Sequence, residues 1–141
     1  MIKTDERIID VDKINGWVIT DNYYDALSPD TKIATRYRTV PGKSIHAEHG
    51  LAYYVETVVN GKISACMFYF GLDSFGVINN IELLGLDLGR VDVFGLSHGH
   101  FDHWMSALAI LKKNKDRIPK DTPFYVGREV FARRYSIPPG G

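Results

Sequence analysis

Two apolar runs of eight residues, Leu51 to Val58 and Ile63 to Phe70, are joined across Asn60-Gly61, and this pairing limits the fold more than any other feature of the chain. Both turn residues tolerate the positive φ of a type I′ turn, so a tight antiparallel hairpin is predicted here. The second run is apolar almost throughout, which predicts a strand covered on both faces at the core of a layered sheet. Downstream, Phe75, Val77, Ile78, Ile81 and Leu84 recur at helical spacing. They predict a helix over 74–86, with Ser74 as its cap and Gly85 as its stop. Val91 to Leu96 then reads as a short buried strand. Strand, helix and strand in this order make an α/β unit, whose crossover is right-handed if the strands are parallel.

That last strand runs into Ser97-His98-Gly99-His100-Phe101-Asp102-His103, where three of the chain's five histidines and one carboxylate fall within six positions. Imidazole and carboxylate suit a borderline divalent ion. No cysteine accompanies them, which favours a site with an open position over a structural thiolate site. His98 and His100, two apart on extended backbone, can share one ion while Gly99 lets the chain turn. Asp102 and His103 open the following helix, predicted over 104–111, and diverge by about 100°. They are therefore expected at a second ion beside the first.

The pattern His-x-His-x-Asp-His after a short apolar strand resembles the metallo-β-lactamase superfamily. Glu82 to Leu88, Leu96 to His103 and Ala47-Glu48-His49-Gly50-Leu51 together resemble one branch of it, related to the dihydropterin-ribofuranosylaminobenzene phosphate synthases, over most of the chain from Asp21 onward. The resemblance implies an α/β fold. Specifically, it implies the N-terminal half of an αββα sandwich, a mixed sheet with helices on one face, with residues 1–141 as one half-domain lacking the C-terminal half that supplies the remaining ligands. It also implies a hydrolase-type enzyme, or a transferase-like synthase, that uses a hydroxide made available near neutral pH on esters, amides, thioesters or phosphoesters, pterin-related ones included. Zinc is the expected ion, one or two per chain, with iron and manganese left open. Asp102 is expected to orient the nucleophile as well as to hold metal.

Two departures put bulk beside the expected site. Tyr69 stands where that branch carries an acid, and Trp104-Met105-Ser106-Ala107 replaces small residues that include a glycine pair. Trp104 either packs in the core or offers a flat ring for stacking. Glu48, His49, Asp21 and Asn22 are implied neighbours of the pocket. On their own residues alone, Asp21 and Asn22 read as a loop held by side-chain-to-backbone bonds, and His46 and His49 as ordinary surface histidines. The competing reading is a degenerate, non-catalytic half-domain that pairs with a second copy or with a partner carrying the missing half. Its uncovered apolar face then promotes self-association into a dimer.

Composition bounds the remaining possibilities. At 141 residues, 45% hydrophobic and 24% charged, the chain fits one globular domain of ordinary composition. A small-molecule substrate is the expected partner. Formal neutrality gives no case for nucleic acid or an anionic membrane, and no apolar stretch has spanning length, so a cytoplasmic location is expected. The lone Cys66 falls in a strand pattern and reads as a small buried hydrophobe.

Elsewhere, 14–20 is predicted as a strand and 8–12 as a strand or arm. Residues 28–44 read as a long loop whose Lys32, Arg36, Arg38 and Lys43 are either solvated or useful to a phosphate-bearing substrate. Pro123 to Val126 reads as a strand, Arg128 to Tyr135 as a short basic helix, and Pro138 to Gly141 as a linker.

Overall fold

A computed structural model describes residues 9–133 and 135. The expectations for Met1 to Ile8, Arg134 and Pro138 to Gly141 therefore lie outside the described residues. Five strands form one mixed sheet in sequence order: β1 (Lys13–Thr20), β2 (Ala52–Val59), β3 (Lys62–Phe68), β4 (Val93–Leu96) and β5 (Phe124–Val126). The first three make an antiparallel meander, while β3, β4 and β5 are parallel. Helix α1 (Ser74–Leu83) crosses from β3 to β4, and α2 (Ala107–Lys113) from β4 to β5.

The hairpin forms where the turn chemistry places it, with Asn60 at φ 50° and Gly61 at φ 75°. Asp12 closes it from outside: its N–H donates to the Val58 carbonyl at 2.8 Å and its carboxylate accepts from the Asn60 N–H at 2.7 Å. Residues 9–12 are thus a tether and not a strand.

The second hairpin strand is not covered on both faces. Lys62 to Ser64 are exposed, and beyond them buried Ala65 and Met67 alternate with half-buried Cys66 and Phe68. The sheet has one closed face. On it, Ile19, Ala52, Tyr54, Ala65, Met67 and Phe94 form a single cluster with Val77, Ile81 and Ile110 of the helices. Burial of that set is the main source of stability, at about 25 cal/mol per Å² of apolar surface.

Helix α1 starts one residue earlier than its expected cap. Asp73, not Ser74, accepts from the Phe75 N–H at 3.1 Å, because a carboxylate reaches the second amide of the helix. It ends at a Schellman motif, with Gly85 at φ 67° and the N–H groups of Gly85 and Leu86 donating to the carbonyls of Glu82 and Ile81. Phe75, expected on the buried face, is 74% exposed. Helix α2 begins later than predicted because the turn before it is held elsewhere: the His103 carbonyl accepts from the Phe70 N–H at 2.7 Å. Trp104, Met105 and Leu108 consequently stay outside the core. The segment after β5 forms turns over 128–131, not a helix. Among the described residues, no helix is long and apolar enough to cross a membrane.

Candidate metal centre

Strand β4 is the most completely buried strand of the sheet, and its end carries the histidine turn. Past Leu96 the chain leaves the sheet through Ser97, His98, Gly99 and His100, then tightens into a single 3₁₀ turn over Phe101–His103. The turn is seated from one side by the segment after β5. The Gly127 N–H donates to the Leu96 carbonyl at 2.8 Å. A Cβ on Gly127 would stand 1.7 Å from the Ser97 carbonyl oxygen, and one on Gly99 2.5 Å from that of Val130. Two glycines let two backbones touch here.

His98, His100 and His103 converge, with ligand atoms all within 4.8 Å of one another. The ring centroids of His98 lie 4.4 Å from His100 and 4.7 Å from His103. A tetrahedral ion with bonds of about 2.05 Å separates its ligands by roughly 3.3 Å, so the rings close inward slightly to share one. The spacing alone pairs His103 with Asp102 at a separate ion. In the fold His103 faces both ways: it joins the other two imidazoles, and its Nε2 lies 3.5 Å from Asp102 Oδ2. That carboxylate oxygen is also 4.0 Å from His49 Nε2.

His103 is the buried member, and its Nδ1 has no hydrogen-bond partner among the described residues. Burial holds this imidazole below its ordinary pKa of 6.5. The Asp102 carboxylate opposes that shift, while His98, His100 and His49 reinforce it. The ring is therefore kept neutral, the form in which imidazole ligates. An orphaned buried nitrogen, three convergent imidazoles and an adjacent carboxylate make a donor set that fits a borderline divalent ion.

The remaining predicted site residues divide clearly. Tyr69 lies against the histidines: its ring stacks on His103 at 4.3 Å and its hydroxyl is 2.6 Å from Ser97 Oγ. Trp104 is 41% exposed, and its Nε1–H donates to the Gly99 carbonyl at 3.3 Å. With Leu96, Phe124, Val126 and Val130 it walls an apolar groove of about 650 Å³ beside the histidine turn. His49 reaches the site through Asp102.

Glu48 engages the backbone. Both its oxygens accept from backbone, Oε1 from the Leu72 N–H and Oε2 from the Asp73 N–H, each at 2.7 Å, so it clamps the loop bearing His49 to the start of α1. Asp21 and Asn22 belong to that clamp: the Asp21 carbonyl accepts from the Glu48 N–H at 3.0 Å, and the Asp21 carboxylate from the Asn22 N–H at 2.6 Å. In the long loop Arg38 is engaged within the loop itself, bonding the carbonyls of Ala26 and Ser28 and the Asp30 carboxylate. Asp30 sits below the usual carboxylate range, chiefly through the Arg36 N–H bonded to it.

Two contributors were not singled out from the sequence. Ser97 links Tyr69 to His98, its Oγ lying 2.8 Å from His98 Nδ1. Asn80, fully buried, bonds the carbonyls of Ile19 and His46 and the His46 N–H. Its place inside an otherwise apolar helical stripe was the available signal.

No family model matches the chain. A 7,8-dihydropterin-6-methyl-4-(beta-D-ribofuranosyl)-aminobenzene-5'-phosphate synthase of Methanocaldococcus jannaschii is 27% identical over 93 residues, which are 66% of this chain and 30% of the synthase. The match thus spans less than a third of that protein's length. The histidine turn and its sheet therefore belong to a chain with distant, partial homology to a pterin-pathway synthase.

Proposed function

We propose that this chain is the ion-binding portion of a metal-dependent enzyme of the metallo-β-lactamase kind, acting on a small pterin-related or phosphate-ester substrate. The observation that carries the reading is the convergence of His98, His100 and His103, the last with a buried Nδ1 that has no hydrogen-bond partner among the described residues. These three would hold the first ion, and Asp102, with His49 behind it, would serve a second. When bound, such an ion supplies Lewis acidity and brings the pKa of a water to about 7. The protein's own contribution is placement. His103 is kept neutral by burial, Asp102 presents an oxygen beside it, and the groove walled by Trp104 offers an apolar flank beside the turn. The distant, partial homology to a pterin-pathway synthase supports the substrate class.

A specific observation favours a second reading, a half-domain completed by another chain. Phe124, Tyr125 and Val126 of the edge strand are 40%, 69% and 38% exposed, and Phe131 is 83% exposed beside the groove. Apolar surface of this kind at an open sheet edge is a site for pairing.

Metal content per chain of the purified protein, measured together with light scattering, tests both readings. One or two ions retained by the parent and lost in His98→Ala and His103→Ala supports the enzyme reading. No metal above background in a parent that dimerises supports the half-domain.

A further inference from the structure

Resting on the ion-binding reading, we propose that Tyr69 and Ser97 act as a positioning pair that reserves Nδ1 of His98 for a hydrogen bond, leaving Nε2 as its ligand atom, and that holds the His103 ring against the site.

Among the described residues, the non-glycine residues with positive φ are Asn60, in the hairpin turn, and Tyr69, at φ 65°. Left-handed backbone is strained for an aromatic residue, and such strain persists only where the surroundings fix it. Here they do. The Tyr69 N–H donates to the Gly95 carbonyl at 3.0 Å, the Phe70 N–H to His103, and the Gly71 N–H to the Leu51 carbonyl at 2.9 Å. The chain is pinned on both sides of Tyr69, and the phenol is delivered to the histidine turn.

Once there, the side chain engages two imidazoles by different means. Its hydroxyl lies 2.6 Å from Ser97 Oγ, which lies 2.8 Å from His98 Nδ1. Its ring stacks on His103 at 4.3 Å and 26°, and meets His98 edge-on at 6.0 Å and 83°. An imidazole that donates from Nδ1 keeps its lone pair on Nε2. Ser97 can accept that proton and donate its own to Tyr69, whose hydroxyl proton is then the donor left at the open end of the chain. Hydrogen-bonded partners of this kind are worth roughly 10–100-fold in metal affinity.

Cobalt(II) titration of the purified chain, followed by its visible absorption, tests the pair alongside Tyr69→Phe, Ser97→Ala and Ser97→Thr. Tyr69→Phe keeps the ring on His103 and deletes only the hydroxyl, and thermal melts confirm that each variant folds. Ser97→Ala is expected to weaken cobalt binding roughly 10–100-fold and to alter the absorption band. Ser97→Thr is expected to restore both, and Tyr69→Phe to cause a smaller loss. Parental affinity in Ser97→Ala, or no rescue by threonine, overturns the pair while leaving the ion-binding reading standing. A parent that binds no cobalt, like His98→Ala, overturns both. In the ion-free chain, the Nδ1 resonance of His98 is expected to move in Ser97→Ala, and an unmoved resonance also overturns the pair.

Discussion

Two stretches of the chain carry closely spaced histidines, 45–50 and 97–103, and they behave differently. In the first, His46 turns to Phe75 at 5.8 Å and His49 is largely exposed. In the second, three rings converge. Spacing does not explain the contrast, since His-x-x-His and His-x-His are both common ligand intervals. Anchoring does. The first stretch has its backbone bonded to Asn80 and to the Glu48 clamp, an arrangement that fixes the path of the chain without turning its rings together. The second leaves a buried strand end and is pressed by Gly127 from one side and Tyr69 from the other.

The comparison breaks most severely at Gly127. Gly127→Ala puts a methyl 1.7 Å from the Ser97 carbonyl oxygen, a backbone overlap that the loop relieves only by leaving its seat. A destabilisation on the order of 4 kcal/mol is expected by urea titration, together with loss of bound metal. Next comes Asn80→Ala, which strands the Ile19 carbonyl and the His46 N–H, while the His46 carbonyl keeps the Thr20 hydroxyl, and is expected to cost about 3 kcal/mol. Because Asn80 anchors the other stretch, metal content in the folded variant is expected to match the parent's.

His46→Ala sharpens the contrast from the opposite direction. Its expected cost is below about 0.5 kcal/mol with no change in bound metal, and a loss of metal there would bring His46 into the site. The smallest effect belongs to Cys66, whose thiol burial pushes above its ordinary 9.0. Less thiolate is present in the fold at any given pH, so alkylation at pH 8 is expected to run slower than in denaturant. The sign of the linkage follows: stability associated with this thiol is full below about pH 9 and falls as pH rises through the higher folded value. Slow alkylation in folded Asn80→Ala would show that its lesion stays local.

Much of this architecture is legible in the sequence where chemistry is local. Asn60-Gly61 sets the hairpin, the spacing of Val77 and Ile81 sets the buried side of α1, and Gly85 sets its end. What escaped depends on contacts distant along the chain. Helix α2 starts late because Phe70 takes the His103 carbonyl, and β3 is open on one face because no element of the described chain covers Cys66 and Phe68 fully. At the site, the histidines announce themselves by type. The partition between ions does not, because the place of His103 depends on burial and on Tyr69. Glu48 illustrates the converse, an acid whose type is plain in the sequence and whose bonds to the backbone at the start of α1 are visible only in the fold.

The seat that Gly127 provides also has a place in time. The histidine turn is made about 30 residues before Val130, whose carbonyl Gly99 lies against. At roughly 5–20 residues per second, translation leaves an interval of a few seconds in which all three imidazoles have been synthesised and the Gly127 and Val130 side of their seat has not. The seat of the histidine turn is thus complete only after β5 has added to the sheet, so the convergence of the three rings is a property of the finished fold and not of the nascent segment alone.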